Sequence, residues 1–280
     1  MKLNELEEYY QLELGQIYEE DETTALFSLA AEHVLQLTQI KLRMSRDNDL
    51  SHIHLQKMLS ILNDLKMYKP IQHILGEAHF YGSVYKVNEN VLIPRPETEE
   101  LVDWIIADHS SRKDLNILDI GTGSGCIPIS LKRFLPRAKV SSLDISEKAL
   151  TVARENAQSL HTTVNFIQAD ILTYSSEDKL DIMVSNPPYI KDLEKEQMHQ
   201  NVLSHEPHLA LFVSNENPLV FYKAIADLAI KTLNPGGYLY LEINEYLGEE
   251  TIDMLKGKGF SNIALRKDMQ GKDRMIKAGY

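Results

Sequence analysis

Apolar residues recur at helical spacing through roughly the first seventy residues, with almost no strand signal. Leu26, Leu29, Ala30, His33, Val34 and Leu37 fall on one helical face, with Thr23 or Thr24 available as N-cap. A second amphipathic run over 50–68 carries a stripe of Leu55, Met58, Leu59, Leu62 and Leu65, and Lys69-Pro70 stops it. Such stripes pack cores, so residues 1–75 read as a small helical domain. The pattern then changes. His79-Phe80-Tyr81 and 84–87 predict two short strands about Gly82, followed by a turn at Asn88-Glu89-Asn90. This hairpin, within 76–95, is expected to link the helical part to the rest.

From 96 to 280 strands and helices alternate. Helices are predicted over 99–108, 126–135, 147–157, 219–233 and 249–258. Strands are predicted over 116–120, 140–144, 164–168, 181–185 and 238–243, with 263–266 and 274–277 as an antiparallel edge. Near-continuous apolar strands separated by helices indicate an α/β domain, its mostly parallel sheet covered on both faces.

Composition changes little. With 280 residues, one full-sized domain plus a smaller one is the natural expectation, and 43% hydrophobic with 25% charged residues is ordinary for a globular chain. The net charge of −12 is more telling. Nucleic-acid binders draw affinity from cationic faces that release phosphate counterions, so protein or small-molecule partners fit better than DNA or RNA. A single cysteine, Cys126, excludes an internal disulfide and a metal site built from cysteines alone. The acidic start predicts no secretory signal, and no apolar run approaches bilayer length, so a cytoplasmic location is expected. The ten histidines form no motif such as H-E-x-x-H, so no metal is expected. Glu19-Glu20-Asp21-Glu22 reads as a solvated face.

Two motifs carry chemistry. Asp119-Ile120-Gly121-Thr122-Gly123-Ser124-Gly125 follows a predicted strand and opens a helix. Glycines there allow a tight turn and close approach of backbone N–H groups to a ligand. A dinucleotide loop wants G-x-G-x-x-G/A, but Cys126 holds that last position. The observed form suits a ligand without pyrophosphate, with a nucleoside and an amino-acid moiety. Asp144 ends the next strand about twenty residues on, where a carboxylate accepts ribose hydroxyls, and Asp170 ends the strand after that. A chance glycine turn would not bring two strand-end aspartates with it.

Asn186-Pro187-Pro188-Tyr189 ends the strand over 181–185. Two prolines cannot extend a ladder and fix φ, leaving a stiff corner rich in acceptors. The Asn186 side-chain oxygen and the Pro187 carbonyl could take both N–H bonds of a planar NH₂ while the Tyr189 ring supplies an apolar wall. Positioning of that kind reaches effective molarities of about 10⁵–10⁸ M. The combination resembles the amino-methyltransferases, which act on DNA, RNA or protein nitrogens.

The segment before the sheet narrows the choice. Pro70-Ile71-Gln72-His73-Ile74-Leu75-Gly76, Phe80-Tyr81-Gly82 and Leu92-Ile93-Pro94-Arg95-Pro96-Glu97-Thr98-Glu99 resemble the bacterial release-factor glutamine methyltransferase family, PrmC/HemK. Glu206-Pro207, Ala210-Leu211 and Gly271-Lys272-Asp273-Arg274 do so as well. The resemblance implies a small helical, substrate-recognising N-terminal domain and a seven-stranded, Rossmann-like class I methyltransferase sheet. It implies action on class 1 peptide-chain release factors; a cytoplasmic monomer with no direct nucleic acid or membrane contact is expected. The methyl donor it implies is S-adenosylmethionine, with S-adenosylhomocysteine as product. Cofactor contacts are then expected from Asp119, Gly121, Thr122, Gly123, Ser124, Gly125, Asp144, Ile145, Asp170, Ile171 and Asn186. Substrate contacts are expected from Asn186, Pro187, Pro188 and Tyr189, with Asn186, Pro187 and Tyr189 catalytic. The family often has an aromatic residue where this chain has Ile171. The 93–96 run reads as a rigid cleft wall, with a plain rigid linker as the alternative and contact from Arg95 to substrate or cofactor as a secondary one. Two rivals remain at this stage: a nucleic-acid base methyltransferase, and a nucleoside-binding module without chemistry.

Overall fold

The computed structural model describes residues 1–280, apart from the side chain of Gln197. They group into two compact units: Met1–Gly76 with His199–His205, and Glu77–Met198 with Glu206–Tyr280.

The first unit is helical, with α1 (Leu3–Leu14), α2 (Glu20–Leu35), α3 (Gln39–Met44), α4 (His52–Lys66), α5 (Ile71–Leu75) and, from later in the chain, α9 (Gln200–His205). Leu3, Leu6, Tyr10 and Leu14 share one face of α1 and pack with Leu26, Phe27, Ala30 and Ala31 of α2 and Met58, Ile61, Leu62 and Leu65 of α4. The buried Tyr10 hydroxyl donates to the Met58 carbonyl at 2.6 Å, which removes the cost of an unpaired buried group.

Helix α1 was not singled out in the sequence, and α2 differs from expectation. Its N-cap is Glu19, and Thr23 lies buried inside the helix. Glu20, Asp21 and Glu22 fill the first turn, where the helix dipole favours negative charge, so the helix starts upstream of the threonines. Leu29 is 39% exposed, and Phe27 takes its place in the core. Helix α4 lies within the expected run, and Ser51 caps it by accepting from the His54 N–H.

The second unit opens with the hairpin β1 (Glu77–Phe80) and β2 (Ser83–Lys86), paired antiparallel. Tyr81 and Gly82 both have positive φ, 45° and 71°, as a two-residue hairpin turn demands. The helices that follow are α6 (Pro96–His109), α7 (Cys126–Phe134), α8 (Glu147–Ser159), the short α10 (His208–Leu211), α11 (Val220–Thr232) and α12 (Gly248–Gly257). Seven strands form the main sheet: β3 (Asn116–Ile120), β4 (Lys139–Asp144), β5 (Asn165–Gln168), β6 (Leu180–Ser185), β9 (Leu233–Glu242), β10 (Ser261–Lys267) and β11 (Asp273–Gly279). A further parallel pair, β7 (Ile190–Lys191) and β8 (Phe212–Val213), sits apart from it.

The sheet order is β10-β11-β9-β6-β3-β4-β5, and β11 runs antiparallel to both its neighbours. The seven-stranded, Rossmann-like sheet expected from the sequence is thus present. Alternation along the strands builds a core on each face. Ile117, Ile182 and Tyr240 join Trp104, Ile105 and Ile129 on one side. Leu118, Met183 and Leu239 join Tyr222, Ile225 and Leu228 on the other. Strand order reverses at β3, with β4 on one side and β6 on the other. Ligands bind at such switch points, outside the carboxyl ends of the strands.

The hairpin belongs to this unit and packs on α8. The Lys86 N–H donates to Asn156 Oδ1 at 2.7 Å, while Asn156 Nδ2 donates to the carbonyls of Lys86 and Ser124, both at 2.9 Å. One buried amide therefore ties the hairpin to the glycine loop. Among the described residues, no helix is long and apolar enough to cross a membrane.

Candidate active site

Strand β3 runs straight into the glycine loop, where Gly121, Gly123 and Gly125 adopt φ of 85°, 52° and 83°. The N–H groups of Gly121 and Thr122 both donate to the Leu143 carbonyl of β4, closing the turn against the neighbouring strand. Gly125 caps α7, and a Cβ there would meet Ile129 Cδ1 at 2.9 Å and Ala153 Cβ at 3.1 Å. Left-handed backbone and overpacking together cost about 2 kcal/mol or more. Gly125→Ala is therefore expected to lower the melting temperature by about 5 °C or more. An unchanged calorimetric transition would contradict this packing role.

Asp119 is fully buried behind the loop and does not line the cavity. Ser142 Oγ donates to its Oδ2 at 2.6 Å and accepts from Thr122 Oγ1 at 2.6 Å. Burial pushes the Asp119 carboxyl up to about 8. The sequence places it among the cofactor contacts; the structure sets it beneath the loop, linked to Thr122 through Ser142. Gly125 is likewise turned toward α7 and α8, and is absent from the lining.

The loop, the strand ends and the proline corner surround a cavity of about 340 Å³, within the size range of small-molecule sites. Gly121, Thr122, Gly123, Ser124, Asp144, Ile145, Asp170, Ile171, Asn186, Pro187 and Pro188 all line it, so most of the residues expected from the sequence meet in one place. Asp144 Oδ2 accepts from the Gly123 N–H at 2.9 Å and Oδ1 from the Ser146 N–H at 2.8 Å. Burial raises its pKa, against the pull of these backbone donors. Each carboxylate oxygen keeps a second acceptor site for ligand hydroxyls. Asp170 lies two residues past the end of β5, and its Oδ1 accepts from the Leu172 N–H at 2.9 Å.

The corner is anchored from behind. Asn186 Nδ2 donates to Thr98 Oγ1 at 3.2 Å, and Thr98 Oγ1 donates to Glu242 Oε2 at 2.6 Å. The Tyr189 hydroxyl donates to Glu242 Oε1 at 3.0 Å, and its ring packs into the core that contains Tyr222 and Ile225. Tyr189 therefore does not line the cavity, contrary to its expected part as a wall, because its phenol finds a buried carboxylate behind the corner.

Several lining residues escaped the sequence reading: Thr98, Leu172, Leu209, Phe221 and Ile225 among them. Phe221 and Ile225 come from α11, whose apolar positions look like ordinary core. They bring to the lining the aromatic and aliphatic surface that position 171 alone does not. Arg95 lines the cavity and pairs with Glu206, which is 4% exposed and also accepts from the Ile93 N–H at 3.2 Å. The 91–95 wall and the segment starting at Glu206 are thereby clamped together. Cys126 also lines the cavity; burial pushes its thiol up to about 12, so it is not a thiolate at neutral pH. Among the described residues, no group of three or more His, Cys, Asp or Glu could hold a metal ion.

The family model described as Methyltransferase small domain matches residues 100–211, and that described as PrmC N-terminal domain matches residues 5–76. The release factor glutamine methyltransferase of Flavobacterium psychrophilum is 49% identical over 271 residues, 95% of each chain. That of Bacteroides thetaiotaomicron is 42% identical over 278 residues, 99% of each chain. A solved methyltransferase structure from Pyrococcus furiosus shares the fold, with a TM-score of 0.53 and 20% identity over 71% of this chain and 89% of its own.

Proposed function

This chain belongs to the release factor glutamine methyltransferase family, and from that premise we propose that it methylates the glutamine side-chain amide in the Gly-Gly-Gln loop of class 1 peptide-chain release factors. When bound, S-adenosylmethionine supplies an electrophilic methyl group and leaves as S-adenosylhomocysteine. The cavity suits that donor: a strand-end carboxylate for the ribose, apolar walls for the base and a glycine loop open to close approach. Asp144 would take the ribose hydroxyls, Ile145, Ile171 and Leu172 would flank the base, and Gly121 to Ser124 would face the rest.

The observation that carries the reading is the Asn186-Pro187-Pro188 corner set in the wall of the same cavity as the glycine loop and Asp144. An amide nitrogen is a poor nucleophile because its lone pair is shared with the carbonyl. Acceptors on both N–H bonds, Asn186 Oδ1 and the Pro187 carbonyl, would fix the nitrogen and favour the pyramidal shape it takes during attack. Such preorganised contacts act where water is excluded and count for more there than in solution. Glu242 is buried behind the corner and does not line the cavity, so it is not placed to act as a base on the substrate nitrogen. The proton is lost to solvent water after methyl transfer, when the nitrogen has become strongly acidic. The net charge of −12 supports a protein substrate over nucleic acid. We place the reaction in the cytoplasm, with the enzyme acting as a monomer.

The test offers labelled S-adenosylmethionine and the purified protein to a release factor, to DNA and to ribosomal RNA in parallel. Label is expected only on the release factor, at the Gly-Gly-Gln glutamine. Equal labelling of a release factor lacking that glutamine would refute the assignment, and label on either nucleic acid would revive the base-methylating rival.

A further inference from the structure

We propose that Thr98 and Glu242 are positioning residues that set which end of the Asn186 amide faces the cavity; this rests on the amide-methylating reading above. An asparagine side chain presents an acceptor or a donor with nearly the same shape, and only the acceptor end serves a substrate NH₂. Something must choose between them.

Donor accounting makes the choice. Glu242 ends β9 and is 1% exposed. Its Oε1 accepts from the Tyr189 hydroxyl at 3.0 Å, and its Oε2 accepts from Thr98 Oγ1 at 2.6 Å. A hydroxyl has one proton, and the carboxylate takes that of Thr98. Thr98 can therefore only accept from Asn186, and it does so from Nδ2 at 3.2 Å. The NH₂ end is fixed toward Thr98, and Oδ1 is left for the substrate. Without the carboxylate, Thr98 could donate to Oδ1 instead. The amide would then turn its NH₂ toward the substrate's NH₂, donor against donor.

The device is held firmly. Tyr222 donates to the Glu242 backbone carbonyl at 3.3 Å, and Thr98 sits in the first turn of α6, started by Pro96 at its first helical position. Arg274, held by Asp268 at 3.0 Å, donates to the Ile243 carbonyl at 3.3 Å, next to the carboxylate's own residue. Thr98 and Glu242 lie 144 positions apart in sequence and meet only through the fold.

The test compares wild type with Thr98→Val, Thr98→Ser and Glu242→Gln in single-turnover methylation of a release factor, with S-adenosylmethionine affinity measured separately. Thr98→Val is expected to lower the single-turnover rate about 10–100-fold while cofactor affinity changes less than threefold, the signature of an interaction made in the transition state. Thr98→Ser, which keeps the hydroxyl, recovers most of that rate. Glu242→Gln is close in shape, so it reports even if the valine variant folds poorly, and a loss of about tenfold is expected. In an Asn186→Ala background, Thr98→Val costs no further rate, because its effect passes through Asn186. Unchanged rates in both Thr98→Val and Glu242→Gln, or losses that multiply in the double variant, would overturn the proposal. A wild-type enzyme that leaves the release factor unlabelled sinks the functional reading instead, so the two failures are distinguishable.

Discussion

Asn186→Ala is expected to reduce methyl transfer to the release factor by about 10³-fold, while S-adenosylmethionine affinity falls no more than about tenfold. Removing one preorganised polar contact from a reacting centre costs about 10²–10³ in rate. Here the substitution also takes away the partner that Thr98 is arranged to hold, so the upper end applies. The corner itself survives, since Pro187 and Pro188 still fix the backbone and Ser185 Oγ still donates to the Ile120 carbonyl at 2.7 Å. Single-turnover kinetics alongside calorimetric titration separate the two effects. A variant that keeps a tenth or more of the wild-type rate would show that the side-chain oxygen does not position the amide.

Asp144→Ala is expected to weaken S-adenosylmethionine binding about 100-fold, with little change in rate at saturating cofactor. Hydrogen bonds to a charged group contribute about 1.5–3 kcal/mol each, so losing those to a ribose accounts for the size of the effect. The loop also suffers, because the Gly123 and Ser146 N–H groups lose their acceptor. Titration calorimetry reads the change directly, and affinity within threefold of wild type would remove Asp144 from the ribose site. The raised pKa adds a pH signature. Burial shifts the carboxyl above its ordinary value, so wild-type affinity should start to fall at a higher pH than exposed aspartates titrate. In Asp144→Ala that part of the profile should be absent.

Much of this could be read from the sequence, because local signals and the fold agreed. Apolar runs at 116–120 and 181–185 are buried strands, and each delivers its motif to the sheet's carboxyl edge. The three glycines sit at positive φ, as the expected tight turn needs. What escaped was of two kinds. Helix α1 carries apolar residues at Leu3, Leu6, Tyr10 and Leu14, but they are thinly spread among acidic neighbours, so no separate helix stands out there. The start of α2 was misplaced because a threonine cap and an acidic first turn competed, and the charges prevailed.

The other omissions lie in tertiary assembly. Thr98 is one threonine on a helix, and Glu242 is one acid at the end of a strand. Neither has a pattern of its own, and only the pairing of β6 with β9 brings Glu242 behind the proline corner. Phe221 and Ile225 looked like core residues because α11 uses the same face for the core and the cavity. Asp119 and Tyr189 are placed differently: they belong to the right motifs, yet neither lines the cavity, and each bonds to a partner behind it. A motif identifies the residues that a site needs, but not which of them touch the ligand.

The most direct measurement is the position of the substrate glutamine in a crystal structure of this enzyme with S-adenosylhomocysteine and a release factor. The carboxamide nitrogen is expected within hydrogen-bond distance of both Asn186 Oδ1 and the Pro187 carbonyl oxygen. A glutamine nitrogen held elsewhere, with Asn186 offering its NH₂ to the cavity, would contradict the account at its centre.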